Sequence, residues 1–263
     1  MTVIVVSDTH LGYERSNAAD FFDFLNYLDS RSDVKTLVIL GDFVDMWRRD
    51  VSGLFLEVEK ITHKLLELGK KIELVFVAGN HDYHLLQLKG NQYPFKFEES
   101  KIIAATQTTH YKLKHGYEYD LAQNKLVMEA LCHNLSNELG QDRSKIYDFF
   151  MEIKDAILHL LGLHGGSEGY LAHLMAIPET RLAKTLPDIE KRASEDIRQN
   201  EILVFGHTHR AFVSADGRLA NSGCWVGDAS IQNTFVELDG ERVRLFQFSK
   251  GAIVEIKERL RMS

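Results

Sequence analysis

Short apolar runs alternate with amphipathic segments in the first half of the chain. Val3–Val6, Thr36–Leu40 and Glu73–Ala78 are rich in β-branched and aliphatic residues, which is typical of buried strands. Between them, apolar residues recur at helical spacing over 21–28 and over 54–68. The pattern predicts repeated strand–helix–strand units of ~35 residues, and therefore a sheet with parallel strands.

The pattern changes after His115. Residues 121–199 show helical periodicity and predict a helical insertion or cap within a single domain that spans 1–263. Such an insertion could form a small core of its own, a homodimer contact, or a hydrophobic lid over an acyl-bearing substrate.

The strand pattern returns at Ile202–Phe205. Asp216-Gly217 and Asp239-Gly240 then separate further apolar or alternating runs, and both dipeptides predict tight hairpins. We therefore expect the second half to be antiparallel. Two sheets packed face to face with helices outside would hold both halves, so the predicted fold class is α/β.

Five short polar clusters occur, each at the point where a predicted strand ends. They are Asp8-Thr9-His10, Gly41-Asp42-Phe43-Val44-Asp45, Gly79-Asn80-His81-Asp82, His115-Gly116 and Gly206-His207-Thr208-His209. Ligands of open α/β sheets bind at the carboxyl ends of the strands. The clusters hold enough carboxylate, imidazole and amide groups for two metal ions, and a metal pair is suited to the hydrolysis of phosphate esters.

The spacing within the first two clusters indicates what each side chain could do. Asp8 and His10 leave the same side of an extended strand end, so both could reach one ion. The two oxygens of the Asp42 carboxylate could bridge two cations, while Asp45 could orient an imidazole such as that of His10. Taken alone, Asp42 and Asp45 fit turn or helix-start residues equally well.

The third cluster is the most specific of the five. Asn80 offers a neutral oxygen to a metal, His81 could approach a reacting phosphate, and Asp82 could hold the His81 ring. A solvated polar loop is the structural alternative. In the last cluster, His207 and His209 could each donate to a different ion of a pair.

Composition and charge limit the partners. Hydrophobic residues make up 44% and charged residues 26% of the 263 positions, and the net charge is -7. Such a chain has no global basic field for nucleic acid, although a local basic groove stays open. Cys132 and Cys224 lie outside any CxxC pattern, which disfavours a thiolate metal site. We find no signal segment and no apolar run long enough to span a membrane, so we expect a cytoplasmic enzyme.

The five clusters resemble the motifs of the calcineurin-like metallophosphoesterase superfamily, which run D-x-H, G-D-x-x-D, G-N-H-D/E, H-G and G-H-x-H in the same order. Asn221–Trp225 is also similar to the family's closing N-x-G-x-W segment. The resemblance implies a four-layer α-β-β-α sandwich and a metal-dependent hydrolase of phosphate esters. Two divalent transition-metal ions would be its cofactors, manganese before iron or zinc, because mixed oxygen and nitrogen ligands suit these metals.

The resemblance also implies a role for each motif residue. One metal would take Asp8, His10, Asp42 and His209. The other would take Asp42, Asn80, His115 and His207. Asp45 would accept a hydrogen bond from a ligand imidazole, such as that of His10, and so orient it. His81 would act near the leaving-group oxygen with help from Asp82, while metal-activated hydroxide attacks phosphorus.

The substrate stays open at this point. The expected partner is a small phosphomonoester, a phosphodiester or a nucleotide pyrophosphate. Trp47 and the helical block resemble the branch that cleaves UDP-2,3-diacylglucosamine, but that branch carries arginine where this chain has His81. A nuclease on the same site would want a basic groove. A protein phosphatase would carry Asp-Arg-Gly at 45–47, and a non-catalytic binding scaffold would have lost some ligands.

Overall fold

The structure is a computed structural model, and it describes residues 2–90, 95–120, 188–227, 229–257 and 259–260. Most of the predicted helical insertion falls on residues 121–187 and therefore lies outside the described residues. The same holds for any lid or dimer contact made through it.

The first half contains the predicted strands and helices. Three strands, β1 (Thr2–Val6), β2 (Val34–Leu40) and β3 (Glu73–Val77), alternate with helices α1 (Ala18–Asp29), α2 (Val51–Glu57) and α3 (Glu59–Leu68). The helix predicted over 54–68 is thus divided into α2 and α3. The periodicity is nevertheless informative, because Leu54 of α2 packs into the same core as Ile61, Leu65 and Leu68 of α3, while Phe55 and Leu56 are exposed.

The remaining described elements are mostly short strands. A 3₁₀ turn (Tyr83–Leu88) follows β3, a second one (Tyr117–Tyr119) follows β6, and residues 188–195 are helical. The strands are β4 (Lys96–Glu98), β5 (Lys101–Ala104), β6 (His110–Leu113), β7 (Glu201–Phe205), β8 (Phe212–Ser214), β9 (Leu219–Asn221), β10 (Thr234–Asp239), β11 (Arg242–Ser249), β12 (Ala252–Ile256) and β13 (Arg259–Leu260).

The first sheet has the strand order β12-β11-β10-β1-β2-β3-β4 in the described chain. Strands β1 to β3 are parallel, as predicted from the strand–helix–strand repeat, and the short strand β4, which was not predicted, adds a further parallel strand beside β3. Side chains alternate between the faces, so Val3 and Val5 of β1 contact the second sheet while Ile4 and Val6 contact the helices. Coverage of both faces explains why these strands are almost continuously apolar.

The second sheet has the order β13-β8-β9-β7-β6-β5 in the same described residues. The expectation of an antiparallel second half is only partly correct, because β6 pairs with β7 and β7 with β9 in parallel. Parallel neighbours need a long crossover, which residues 114–200 provide between β6 and β7. The tight turns at Asp216-Gly217 and Asp239-Gly240 do join antiparallel pairs, β8 with β9 and β10 with β11.

Apolar packing lies on both faces of each sheet. One core fills the space between the sheets, a second lies under α1 and α3, and a third packs Ile189 and Ala193 of the helical residues against Leu203 and Phe205 of β7. The mixed α/β class with two sheets is confirmed. The number of layers stays a prediction, since residues 121–187 are not described. Among the described residues, no helix is both long and apolar enough to cross a membrane.

Candidate metal centre

Backbone hydrogen bonds join the loops that follow β1, β2, β6 and β7. Asp8 N donates to Gly41 O at 3.0 Å and His10 N to Asp42 O at 2.8 Å, which ties the first loop to the second. Gly206 N donates to His115 O at 2.7 Å, which joins the two loops of the second sheet. His207 N donates to the Asp8 carboxylate at 2.9 Å and so ties the second sheet to the first. The carboxyl ends of the strands therefore meet at one place. The predicted ligands lie there together: Asp8, His10, Asp42, Asn80, His115, His207 and His209.

The first group of ligands consists of Asp8, His10 and His209, whose ligand atoms all lie within 4.8 Å of one another. His209 Nε2 lies 3.3 Å from Asp8 Oδ1. The Nε2 atoms of His10 and His209 are 3.1 Å apart and face each other. These three side chains belong to the loops after β1 and β7, so the group joins both sheets.

The second group consists of Asp42, Asn80, His115 and His207. His115 Nε2 lies 3.3 Å from Asp42 Oδ2 and 3.2 Å from Asn80 Oδ1. His207 Nδ1 lies 3.1 Å from the same Asn80 oxygen. Asp42 Oδ2 is also 3.6 Å from His10 Nε2, so this one carboxylate lies between the two groups.

The donor atoms fit a pair of divalent cations. Asp8 Oδ1 is buried and accepts no hydrogen bond from the described residues, although the Nε2 atoms of three imidazoles lie 3.3 to 4.0 Å away. A buried carboxylate oxygen without a donor is costly, and a cation among these nitrogens would satisfy it. Carboxylate, amide and imidazole without thiolate suit manganese, iron or zinc.

Two imidazoles are held in the tautomer that a metal requires. His115 Nδ1 lies 2.8 Å from Leu40 O, and a carbonyl oxygen only accepts, so Nδ1 carries the proton. His10 Nδ1 lies 3.1 Å from Asp45 Oδ2, where an ionised carboxylate also accepts. In both rings Nδ1 is thus occupied by an acceptor, and Nε2, the atom that faces the other ligands, is the nitrogen left to bind a metal.

The backbone of the centre is strained. Asp8, His10, Asp42, His207 and His209 have φ values of 54°, 45°, 51°, 67° and 56°, in the left-handed region. Only two other non-glycine residues of the described chain have positive φ, Asn233 and Lys250. Such strain persists where the surroundings enforce it, and it gathers at functional sites.

The glycines of three motifs leave room for ligand side chains. A Cβ on Gly41 would lie 2.2 Å from the His115 ring, one on Gly79 would lie 2.1 Å from Asp42 Oδ1, and one on Gly206 would lie 2.5 Å from Asp8 Oδ2. Any larger residue would displace a ligand. The motif glycines are therefore part of the centre, beyond the sharp turn that Gly41 makes at φ 85°.

The profile of the calcineurin-like phosphoesterase family matches residues 1–211. The chain belongs to this family. The resemblance inferred from the motifs is thereby confirmed. The family uses a dimetal centre.

Individual relatives cover less of the chain or are more distant. UDP-2,3-diacylglucosamine hydrolases from Hahella chejuensis and Blochmanniella pennsylvanica are 38% identical over 86 residues and 35% identical over 89 residues. These matches span 32% and 33% of this chain, and in both cases 34% of the relative, about a third of its length. A solved dimetal phosphatase from Danio rerio is similar at 13% identity and a TM-score of 0.48, over 97% of this chain and 98% of that one.

Charge is concentrated in the centre of this phosphoesterase. Burial alone would raise the pKa of Asp8, but the imidazoles of His115 and His209 hold it below its ordinary value. At Asp42, burial is likewise outweighed by His115 and His81, and the pKa lies well below normal. Burial would lower the pKa of His115, but Asp42 and Asp8 raise it to about 10. The carboxylates stay ionised and need positive charge beside them, which divalent cations would supply.

The predicted partner of His81 is not the one in the structure. The Asp82 carboxylate accepts hydrogen bonds from the backbone N–H groups of Phe43 at 2.6 Å and Gly79 at 2.7 Å, and so holds two motif loops together. His81 Nδ1 instead lies 3.1 Å from Asp45 Oδ1. The expected contact between Asp82 and His81 is therefore corrected, and Asp45 supports both His10 and His81. Burial and the nearby Asp42 raise the pKa of Asp82 to about 6.

His10, Asp45 and His81 also form a group close enough to hold a metal ion. The Arg48 guanidinium already bonds Asp45 Oδ2 there, and its positive charge would repel a metal ion at that point. We therefore interpret this group as hydrogen-bonded support. Trp47 stacks on the His81 ring, with the ring centroids 4.1 Å apart and the planes at an angle of 25°.

Sequence reasoning missed some residues that touch the ligands. Asp120 Oδ2 lies 3.4 Å from His207 Nε2, yet Asp120 belongs to none of the motifs. Ser7, directly before Asp8, pairs with Ser222 at 2.7 Å between hydroxyl oxygens and links the first motif to the closing N-x-G-x-W segment. No periodicity signals such contacts, because they join residues far apart in sequence.

Proposed function

We propose that this phosphoesterase hydrolyses a small phosphate ester at a centre for two divalent metal ions. The ligands of one ion would be Asp8, His10, Asp42 and His209. The ligands of the other would be Asp42, Asn80, His115 and His207. The observation that carries the proposal is the position of Asp42 Oδ2, 3.6 Å from His10 Nε2 and 3.3 Å from His115 Nε2. Manganese is the metal we propose first, ahead of iron and zinc.

The side chains around the ligands fit a role in breaking the ester bond. When bound, two divalent cations would supply a nucleophile from water near neutral pH and neutralise charge on the phosphoryl group. His81 would donate a proton to the departing oxygen. Its Nδ1 faces Asp45, so we assign the donation to Nε2. Stacking by Trp47 holds the plane of the His81 ring and keeps water from that face.

Hydrolysis of a nucleotide pyrophosphate of the UDP-2,3-diacylglucosamine type is the second candidate. The similarity to two UDP-2,3-diacylglucosamine hydrolases, over about a third of their length, favours this candidate. His81 in place of the arginine typical of that branch argues for a simpler phosphomonoester or phosphodiester. The acidic net charge of -7 gives no support to a nuclease.

A substrate panel tests both candidates. Manganese-loaded protein would be assayed on an aryl phosphate, a bis-aryl phosphate, a cyclic nucleotide, UDP-2,3-diacylglucosamine and single-stranded DNA, with Asp42→Asn as the blank for contaminating phosphatases. We expect turnover of at least one small ester that Asp42→Asn abolishes. Preference for UDP-2,3-diacylglucosamine would establish the second candidate. Equal activity of wild type and blank on every substrate would refute the proposal.

We also propose a cellular location and an oligomeric state. We propose a cytoplasmic enzyme, to be tested by cell fractionation against marker proteins. A homodimer formed through the helical insertion is tested by light scattering on purified wild type and on a variant lacking 121–187. A monomeric wild type would exclude the dimer.

A further inference from the structure

Each metal-facing imidazole of the centre requires a hydrogen-bond acceptor on its other nitrogen. A histidine binds a metal through a bare nitrogen, so the second nitrogen carries the proton and needs an acceptor to hold it. Asp45 fills this role for His10 and the carbonyl of Leu40 fills it for His115. The acceptor for His207 is not supplied by any of the five motifs.

Asp120 lies where that acceptor is needed. His207 Nδ1 faces Asn80 Oδ1 at 3.1 Å, inside the second ligand group, while Nε2 lies on the opposite side of the ring. Asp120 Oδ2 is 3.4 Å from this Nε2, and the two side chains are largely buried, with 18% and 9% of their surface exposed. We propose that Asp120 is a positioning residue that holds His207 in the tautomer and orientation that bind the second metal ion. The inference rests on the proposed two-metal centre.

Asp120 lies on a turn that hydrogen bonds fix in place, which distinguishes its contact with His207 from a chance ion pair on a surface. Asp120 ends the 3₁₀ turn that follows the H-G motif, and its N–H donates to Tyr117 O at 3.0 Å. Arg192 Nε donates to Tyr119 O at 2.5 Å, and Tyr119 Oη donates to Asp196 Oδ2 at 2.7 Å. Both partners come from the polypeptide that returns after residue 187, so that segment fixes the turn.

Further bonds keep Asp196 in place. Lys112 Nζ on β6 and Lys114 Nζ directly after that strand donate to its two carboxylate oxygens at 2.7 and 2.8 Å. The turn is therefore anchored to the same strand that leads into His115. In the contacts described between the two side chains, Asp120 approaches the His207 nitrogen that faces away from Asn80, so the geometry points to a support and not to a further metal ligand.

Binding of Mn²⁺ alone to metal-stripped protein tests the inference. Free Mn²⁺ would be followed by electron paramagnetic resonance, with the spectrum of the bound ions recorded at saturation. For wild type we expect two bound ions with a spin-coupled signal. Asp120→Ala should weaken one of the two ions by ~10- to 100-fold and give the uncoupled signal of a single ion at intermediate concentrations. Asp120→Asn should retain most of the affinity, because its amide oxygen still accepts from Nε2.

Controls separate this role from a general loss of structure. Glu195→Ala removes an exposed carboxylate beside Asp196 and should bind both ions as wild type does. Circular dichroism and thermal unfolding of the metal-free proteins should agree for all variants. Should Asp120→Ala not fold, Asp120→Ser takes its place, since serine suits a turn but is too short to reach the ring.

The outcomes are distinct for the two proposals. A folded Asp120→Ala or Asp120→Ser that binds both ions with wild-type affinity overturns the role of Asp120 and leaves the two-metal centre intact. Equal weakening of both ions, with Asp120→Asn as impaired as Asp120→Ala, also overturns it. A wild type that does not bind two ions overturns the proposed function, and this inference with it.

Discussion

Gly79→Ala probes the most crowded point of the centre. An alanine Cβ at this position would lie 2.1 Å from Asp42 Oδ1 and 2.4 Å from Asp42 N, whereas ordinary contact begins at 3.4 Å. Asp42 would therefore have to move by ~1 Å, its backbone nitrogen as well as its carboxylate. Gly79 does not have a left-handed backbone, so the added methyl group acts by contact and not by backbone strain.

Asp42 has little freedom to move away. Its Oδ1 accepts from His81 N at 2.9 Å, and its backbone carbonyl accepts from His10 N at 2.8 Å. Displacement of a catalytic group by ~1 Å lowers the rate by ~100-fold. That factor corresponds to ~2.7 kcal/mol of activation free energy. Overpacking would also lower the free energy of unfolding by ~1–3 kcal/mol, which most folded domains tolerate.

The assay measures kcat/KM on a chromogenic phosphate ester after manganese loading, together with bound manganese per chain. Gly227→Ala is the matched control, because a Cβ there would meet its nearest neighbours at 3.6 Å, an ordinary contact. We expect the control to match wild type and Gly79→Ala to lose ~100-fold in kcat/KM while its circular dichroism is retained. A folded Gly79→Ala with wild-type kcat/KM and full metal content would refute the reasoning.

Two further predictions concern proton transfer and acid stability. His81→Ala should bind both metal ions yet lose ~10²- to 10⁴-fold in kcat, whereas His63→Ala, an exposed histidine on α3, should leave kcat unchanged; full activity of His81→Ala would contradict its assignment. Burial would raise the pKa of Asp196, but hydrogen bonds from Lys112 and Lys114 lower it from 3.8 to about 2. A carboxyl group whose pKa is lower in the folded protein than in the unfolded chain stabilises the fold at pH values above the unfolded pKa. For Asp196 this contribution is ~1 kcal/mol after screening by solvent, and it is lost as the pH falls from about 4 to about 2. Asp196→Asn should remove that part of the pH dependence in urea unfolding, and an unchanged pH profile would show that the ion pairs contribute nothing.

The positions of the motifs could be predicted because they follow from strand periodicity. Runs such as Val3–Val6 and Ile202–Phe205 mark buried strands, and parallel strands place their carboxyl ends at one edge. Asp8 and His207 therefore had to lie near each other if both halves formed sheets. The parallel pairing of β6 with β7 was missed, because a crossover through residues 114–200 leaves no local signal in the sequence.

Details within the loops depend on tertiary contacts that sequence spacing does not encode. Asp82 was expected to hold its neighbour His81, but the turn directs its carboxylate to the N–H groups of Phe43 and Gly79. The left-handed backbone of the ligands follows from bonds between loops, such as that from His10 N to Asp42 O. Local propensity does not foresee strain that distant parts of the chain impose.

The most direct test of the central claim is anomalous diffraction from crystals soaked in Mn²⁺. We predict two manganese peaks ~3.5–4 Å apart, with one oxygen or both oxygens of the Asp42 carboxylate in contact with the two ions. A single peak at saturating Mn²⁺, or a pair of ions that Asp42 does not touch, would contradict the account.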